Sequence, residues 1–181
     1  MSEMTEMTAG TWTIDPSHTE VGFSVRHLMG KVRGKFEEFE GTIVTSADPD
    51  TSSATATIQL ASINTGTADR DNHLRSSDFF SVEEHPVMAF ASTGVKQTGD
   101  DSYVILGDLT IKGVTRTTEL DVDFLGEGGD PWGGTRIGLE ATTQISRKDY
   151  GIDFNIPVQG DKVMIGDKIT VTIGAEAVLQ S

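Results

Sequence analysis

Apolar and polar residues alternate with a period of two along most of this chain. Val21, Phe23 and Val25 alternate with Gly22, Ser24 and Arg26, and Ala54, Ala56, Ile58 and Leu60 with Thr55, Thr57 and Gln59. The same rhythm runs through Leu120–Phe124, Ile137–Ile145 and Ile169–Ala175. Alternation of this kind turns one face of an extended strand to a core and the other to water. Further strands are predicted over Thr11–Asp15, Lys31–Val44, Val87–Lys96 and Tyr103–Lys112. A change of phase between Phe36 and Phe39 predicts a bulge or bend. The long exception is Asp69–Pro86, which reads as a helical segment between two strands. About eight strands separated by turn signals rather than helices predict an all-β fold, a sandwich or an up-and-down antiparallel barrel. Strands near ten residues with glycine bends favour the eight-stranded barrel.

Composition narrows this picture. At 181 residues the chain fits one domain, expected over 11–181, with Met1–Gly10 as a loose tail. A net charge of -14 argues against non-specific nucleic-acid binding and against anionic-membrane binding, since both need a positive surface, and no apolar run is long enough for stable membrane insertion. With no cysteine there is no thiol nucleophile and no thiolate metal site. The first ten residues carry no Lys or Arg and no apolar core, so no secretory signal is read and a cytoplasmic location is expected. Many inward candidates are small, among them Ala54, Ala56, Ala141, Thr143, Ala175 and Gly107. Such a lumen either packs as an ordinary core or holds a greasy ligand.

Catalytic signals are thin. Asp69 and His73 share a helix face with Ser76 and Ser77 one turn on, but no Gly-x-Ser-x-Gly turn accompanies them. The plainer expectation has Asp69, Arg70, Asp71 and Arg75 in water and Leu74 on the sheet. The four histidines lie 9, 46 and 12 residues apart, and none forms a metal-binding pair. No catalytic residue and no metal ligand is therefore assigned. His27 continues the Val21–Phe23–Val25 face and could meet a ligand's polar head. Between Val21 and Phe36 stand Arg26, Lys31, Arg33 and Lys35 with no acidic residue. Pairing with acidic strands, such as the one holding Asp121 and Asp123, is the preferred account; anchoring a ligand headgroup, with Arg26, Arg33 and His27, is the other. The glycine-rich stretch Gly126–Gly134 reads as a loop with no nucleotide-binding pattern.

These residues, taken together, resemble the YceI family of polyisoprenoid-binding proteins. The marks are Trp12-Thr13-Ile14-Asp15-Pro16-Ser17-His18-Thr19, Arg70–Phe80, His85-Pro86, Gly107–Thr115 and Ser146-Arg147-Lys148-Asp149-Tyr150-Gly151. The resemblance implies a lipocalin-like eight-stranded antiparallel barrel, a homodimer, and a lumen that takes a long isoprenoid chain, another amphiphilic lipid or a quinone. It brings no catalytic residue set, so the expected role is non-catalytic binding, transport or storage. An enzyme acting on such a lipid through His27 or the Asp69–His73 pair, and a stress-response dimer with an incidental cavity, are the alternatives. Each five-carbon unit of a tail would bury roughly 100 Å², or about 2–3 kcal/mol before ordering costs. The expected lining from the first half of the chain is Phe23, Val25, Phe36, Ile58 and Leu60. From the helical segment come Leu74, Phe79 and Phe80, expected as a lid or plug over an open end. The later strands contribute Phe90, Ile105, Leu109, Leu120, Val122, Phe124, Leu139 and Val171.

Overall fold

The protein, a computed structural model, is described here for residues 7–158 and 163–180. Its strands are β1 Gly10–Ile14, β2 Glu20–His27, β3 Gly30–Phe36, β4 Phe39–Thr45, β5 Ser53–Gln59 and β6 Ile63–Asn64. After helix α1 Ala68–Arg75 come β7 Val87–Gln97, β8 Ser102–Ile111, β9 Val114–Gly129, β10 Thr135–Ser146 and β11 Ile165–Leu179. All pair antiparallel, in the order β1-β4-β5-β7-β8-β9-β10-β11-β2-β3-β6, and pairing of β1 with β11 closes the barrel. The eleven segments make eight barrel strands, because β1 with β2, β3 with β4, and β5 with β6 are single strands broken by bends. One break falls at Glu37-Glu38, between Phe36 and Phe39, where the apolar phase changes.

The broken strands give the barrel two halves. In one, β11 pairs β1 through Leu179–Ala177, and Trp12, Phe124, Ile137 and Ala177 form a sealed cluster. Trp12 is wholly buried and donates its Nε1–H to Thr45 Oγ1 at 2.9 Å, so its one polar atom is satisfied inside the plug. In the other half, β11 pairs β2 through Ile165–Gly174 and β2 pairs β3, but β3 meets β6 only at Lys35 and Phe36. The wall is therefore incomplete beyond β3. Helix α1 and the turns that follow it fill the gap. Arg75 donates to the carbonyls of Ala61 (2.9 Å) and Ile63 (3.2 Å) on the β5–β6 side. On the far side His85 packs against Gly113 in the β8–β9 turn, whose φ of +77° suits glycine.

Three local expectations change. Strand β9 runs on to Gly129 and pairs β10 through Gly126, Gly128 and Gly129, so only Asp130–Gly134 is the turn. Residues 1–6 of the expected tail lie outside the described residues, but Thr8 is held: its N–H and hydroxyl donate to Glu127 at 2.7 and 2.6 Å. Asp121 and Asp123 sit on β9, between β8 and β10, whereas β2 and β3 lie beyond β11. The basic run of β2–β3 therefore does not pair with that strand, and among the described residues none of Arg26, Lys31, Arg33 and Lys35 makes an ion pair, so the cross-strand pairing account fails.

Candidate functional site

The barrel lumen is not filled. Two cavities lie along it, of about 240 and 180 Å³, and Val21, Met88, Ile145 and Val171 border both. A cavity needs only roughly 10–15 Å³ of such space for one water, and folded interiors hold few voids even that large. Both are lined almost wholly by apolar side chains. The larger lies in the half whose wall is completed by α1, and its lining includes His27 and the exposed Ile156. The smaller lies deeper, toward the Trp12 plug.

Small residues make the deeper cavity: Ala54, Ala56, Ala141, Thr143 and Ala175 all border it. Gly107 works differently. A Cβ there would stand 2.3 Å from Phe90 Cζ, so the missing side chain is the seat of the Phe90 ring. Ile58, Phe90, Ile105, Leu109 and Leu120 line this cavity, with Val122, Leu139 and Val171. Phe23, Val25, Phe36, Leu74, Phe79 and Phe80 line the larger one, again with Val171. Leu60 and Phe124 do not face either space: Leu60 is sealed in the wall with Phe36 and Ile63, and Phe124 belongs to the plug.

Of the headgroup candidates only His27 borders the cavity. Arg26 and Arg33 are exposed on the outer face, because their neighbours Val25, His27 and Val32 point inward. Besides His27, the polar side chains that reach the larger cavity among the described residues are Arg70, His73, Arg147 and Tyr150. All four are already engaged, His73 with Asp78. Arg147 is 4% exposed and donates to the carbonyls of Gly166 (2.9 Å), Ile152 (3.1 Å) and Phe154 (2.8 Å). Burial pulls its pKa down, against the pull of Asp167 and Asp153. It works as a clamp holding the 151–158 strap onto β11. Arg70 donates to Thr65 Oγ1 (2.7 Å) and the Thr65 carbonyl (2.8 Å). Burial pushes the Tyr150 hydroxyl above its usual range, partly offset by a hydrogen bond with Thr118.

The strap and the α1 segment meet over the larger cavity. The His73 ring stands edge-on to Phe79 at 5.0 Å and to Phe154 at 4.9 Å, and Phe79 and Phe154 lie 5.2 Å apart. His73 Nε2 bonds Asp78 Oδ2 at 2.8 Å rather than Asp69, and Ser76 Oγ donates to the His73 carbonyl. No nucleophile–base pair forms here. Asp71, expected in water, is 7% exposed and accepts from the Thr65 N–H (2.9 Å) and hydroxyl (2.6 Å), fixing the loop into α1. At the plug end Asp15, His18 and Glu176 gather carboxylate and imidazole ligand atoms. Arg136 Nη1 lies 2.7 Å from Asp15 and 3.4 Å from Glu176, so a cation already occupies that charge. Its contact, with that of His18, holds Asp15 down at about 2.

Residues 12–177 match the YceI-like domain family. A UPF0312 protein of Azotobacter vinelandii is 38% identical over 176 residues, covering 95% of this chain and 88% of its own. Among solved structures, Burkholderia cenocepacia BcnA superimposes with a TM-score of 0.79 at 20% identity, over 90% of this chain and 98% of that one. A Saccharophagus degradans domain described as polyisoprenoid-binding and implicated in plant cell wall breakdown gives 0.67 at 16% identity, over 96% and 100%.

Proposed function

The chain belongs to the YceI family, and from that premise we propose that it binds a long-chain isoprenoid or similar amphiphilic lipid in the barrel lumen, for carriage or storage, without transforming it. The observation that carries this reading is the pair of adjoining apolar cavities, the larger of them bordered by His27. A core meant only to pack would lose dispersion contacts and stability around such voids. The name of the Saccharophagus degradans domain, which has the same fold, points to the same ligand class. A tail fills both cavities, and the polar end stays at the rim, where His27 is the one headgroup candidate of the three that faces it. No convergent acid, base and nucleophile borders the lumen among the described residues, which favours binding over catalysis. The homodimer implied by the family belongs to the same proposal and is read by light scattering.

Titration with a fluorescent long-chain prenol tests the reading. Saturable binding should weaken at least tenfold in Ala56→Phe and in Ala141→Phe, whose new rings occupy the deeper cavity. Equal binding by wild type and both variants would place the ligand elsewhere.

A further inference from the structure

Large apolar side chains are exposed together at the mouth of the larger cavity. Leu28 and Met29 form the tip of the β2–β3 hairpin, Met29 fully exposed; Ile156 stands on the strap and Val163 bridges to Pro157 beside it, 44% and 40% exposed. Backbone bonds make them one surface: the Leu28 N–H donates to the Met164 carbonyl at 2.8 Å and the Met164 N–H to the Ile156 carbonyl at 3.0 Å. Ile156 also lines the cavity. Scattered exposed apolar residues need no explanation, but a joined group on the rim of an apolar opening does.

Charge surrounds this patch with the sign opposite to the whole molecule. Arg26 and Lys31 are directly opposed partners on β2 and β3, and Arg33 and Lys35 follow on the same outer face. Like charges so placed repel. Among the described residues none of the four has an ion-pair partner. Asp167, on neighbouring β11, is turned to Arg147 and Lys148 at 3.8 and 3.4 Å, leaving Asp153 on the strap as the opposing charge among the described residues. Lysines on an exposed edge also deter strand pairing, which accounts for β3. It does not account for Arg26 on the interior strand β2, nor for the apolar tip.

We propose that this end of the barrel docks on an anionic lipid bilayer, with Leu28, Met29 and Ile156 entering beside the cavity mouth and Arg26 and Lys31 against headgroup phosphates. The reach is right. At about 3.3 Å per residue, Lys31 and Arg26 stand roughly 7 and 10 Å from Met29, within a Debye length, whereas Lys35 is about 20 Å away. The inference rests on the lumen holding a lipid: a mouth seated in the bilayer passes a tail inward without exposing it to water.

Flotation of the full chain with vesicles of phosphatidylcholine alone, or of equal parts phosphatidylcholine and phosphatidylglycerol, tests it. Wild type should float with the mixed vesicles and not the neutral ones, and added salt should release it. A basic residue near such a surface contributes about fivefold, so Arg26→Ser with Lys31→Ser should weaken binding about 25-fold. Met29→Asp should weaken it tenfold or more. All these side chains are exposed, so uptake of the prenol probe from detergent micelles should be unchanged in the variants. Probe uptake without flotation overturns the docking proposal and leaves the lumen reading standing; flotation without uptake does the reverse. A change from dimer to monomer in Met29→Asp, with flotation unaltered, makes the patch a contact between copies and also overturns the proposal.

Discussion

At the scale of single residues, direction along a strand decides role. Arg26 lies between Val25 and His27, which both border the larger cavity, so strand alternation alone sends it outward. That was legible in the sequence, and a headgroup role for Arg26 is inconsistent with the same rule that places His27 inside. Gly107 was readable only as a small residue; that it seats Phe90 depends on the β7–β8 register. Gly107→Ala should push Phe90 into the deeper cavity and cost about 1–3 kcal/mol in denaturant unfolding. Asp15 offers a pH test. Its carboxyl sits at about 2 rather than 3.8, so its contribution is complete above the ordinary value and disappears as pH falls from about 4 to 2. Asp130 is lowered too, by the Gly134 N–H and then Arg136, and adds to the same acid loss. Asp15→Asn should flatten part of the melting-temperature decline in that window; an unchanged slope would mean that the Arg136 contact contributes nothing to folding.

At the scale of elements, the period-two strands were readable because each has one face in the lumen or plug. The phase change after Phe36 marked the bend between β3 and β4. What failed was the glycine-rich end of β9: glycines show no inward and outward pattern, and their strand character comes from the β10 partner. The strap was missed although Ile152, Phe154 and Ile156 alternate, because it is short and anchored by Arg147 rather than by a ladder. The Asp69–Pro86 segment is the covering element. Leu74, Phe79 and Phe80 border the larger cavity, and Phe79 packs on Phe154 of the strap. We propose that this contact gates the tail. Phe154→Ala, on a partly exposed residue, should speed release of a bound prenol at least tenfold in stopped-flow displacement. Phe79→Ala should do the same and also cost about 3–5 kcal/mol of stability, since Phe79 is buried in the core. Unchanged release in Phe154→Ala would make the segment a fixed wall.

At the scale of the whole molecule, the barrel divides its labour. One half is plugged around Trp12, and the other gives up β-pairing beyond β3 so that a helix and a strap can close it. The eight-stranded plan was visible in the alternation, but the cavities were not, because small inward residues read equally as tight packing until the strands are placed. Filling such voids should stabilise the fold by linkage. A ligand at about a hundred times its Kd adds about 2.7 kcal/mol, or roughly 5–10 °C in melting temperature for a chain of this size. The rise should disappear in Ala56→Phe.

The central claim is that the lumen is occupied by a lipid in use. The most direct test is mass spectrometry of the organic extract from the natively purified protein, beside the Ala56→Phe variant prepared in parallel. The account predicts a prenyl-chain lipid or a relative of it in near-stoichiometric amount with wild type and much less with the variant. An extract free of lipid, from a protein that also takes up no prenol when offered one, would contradict it.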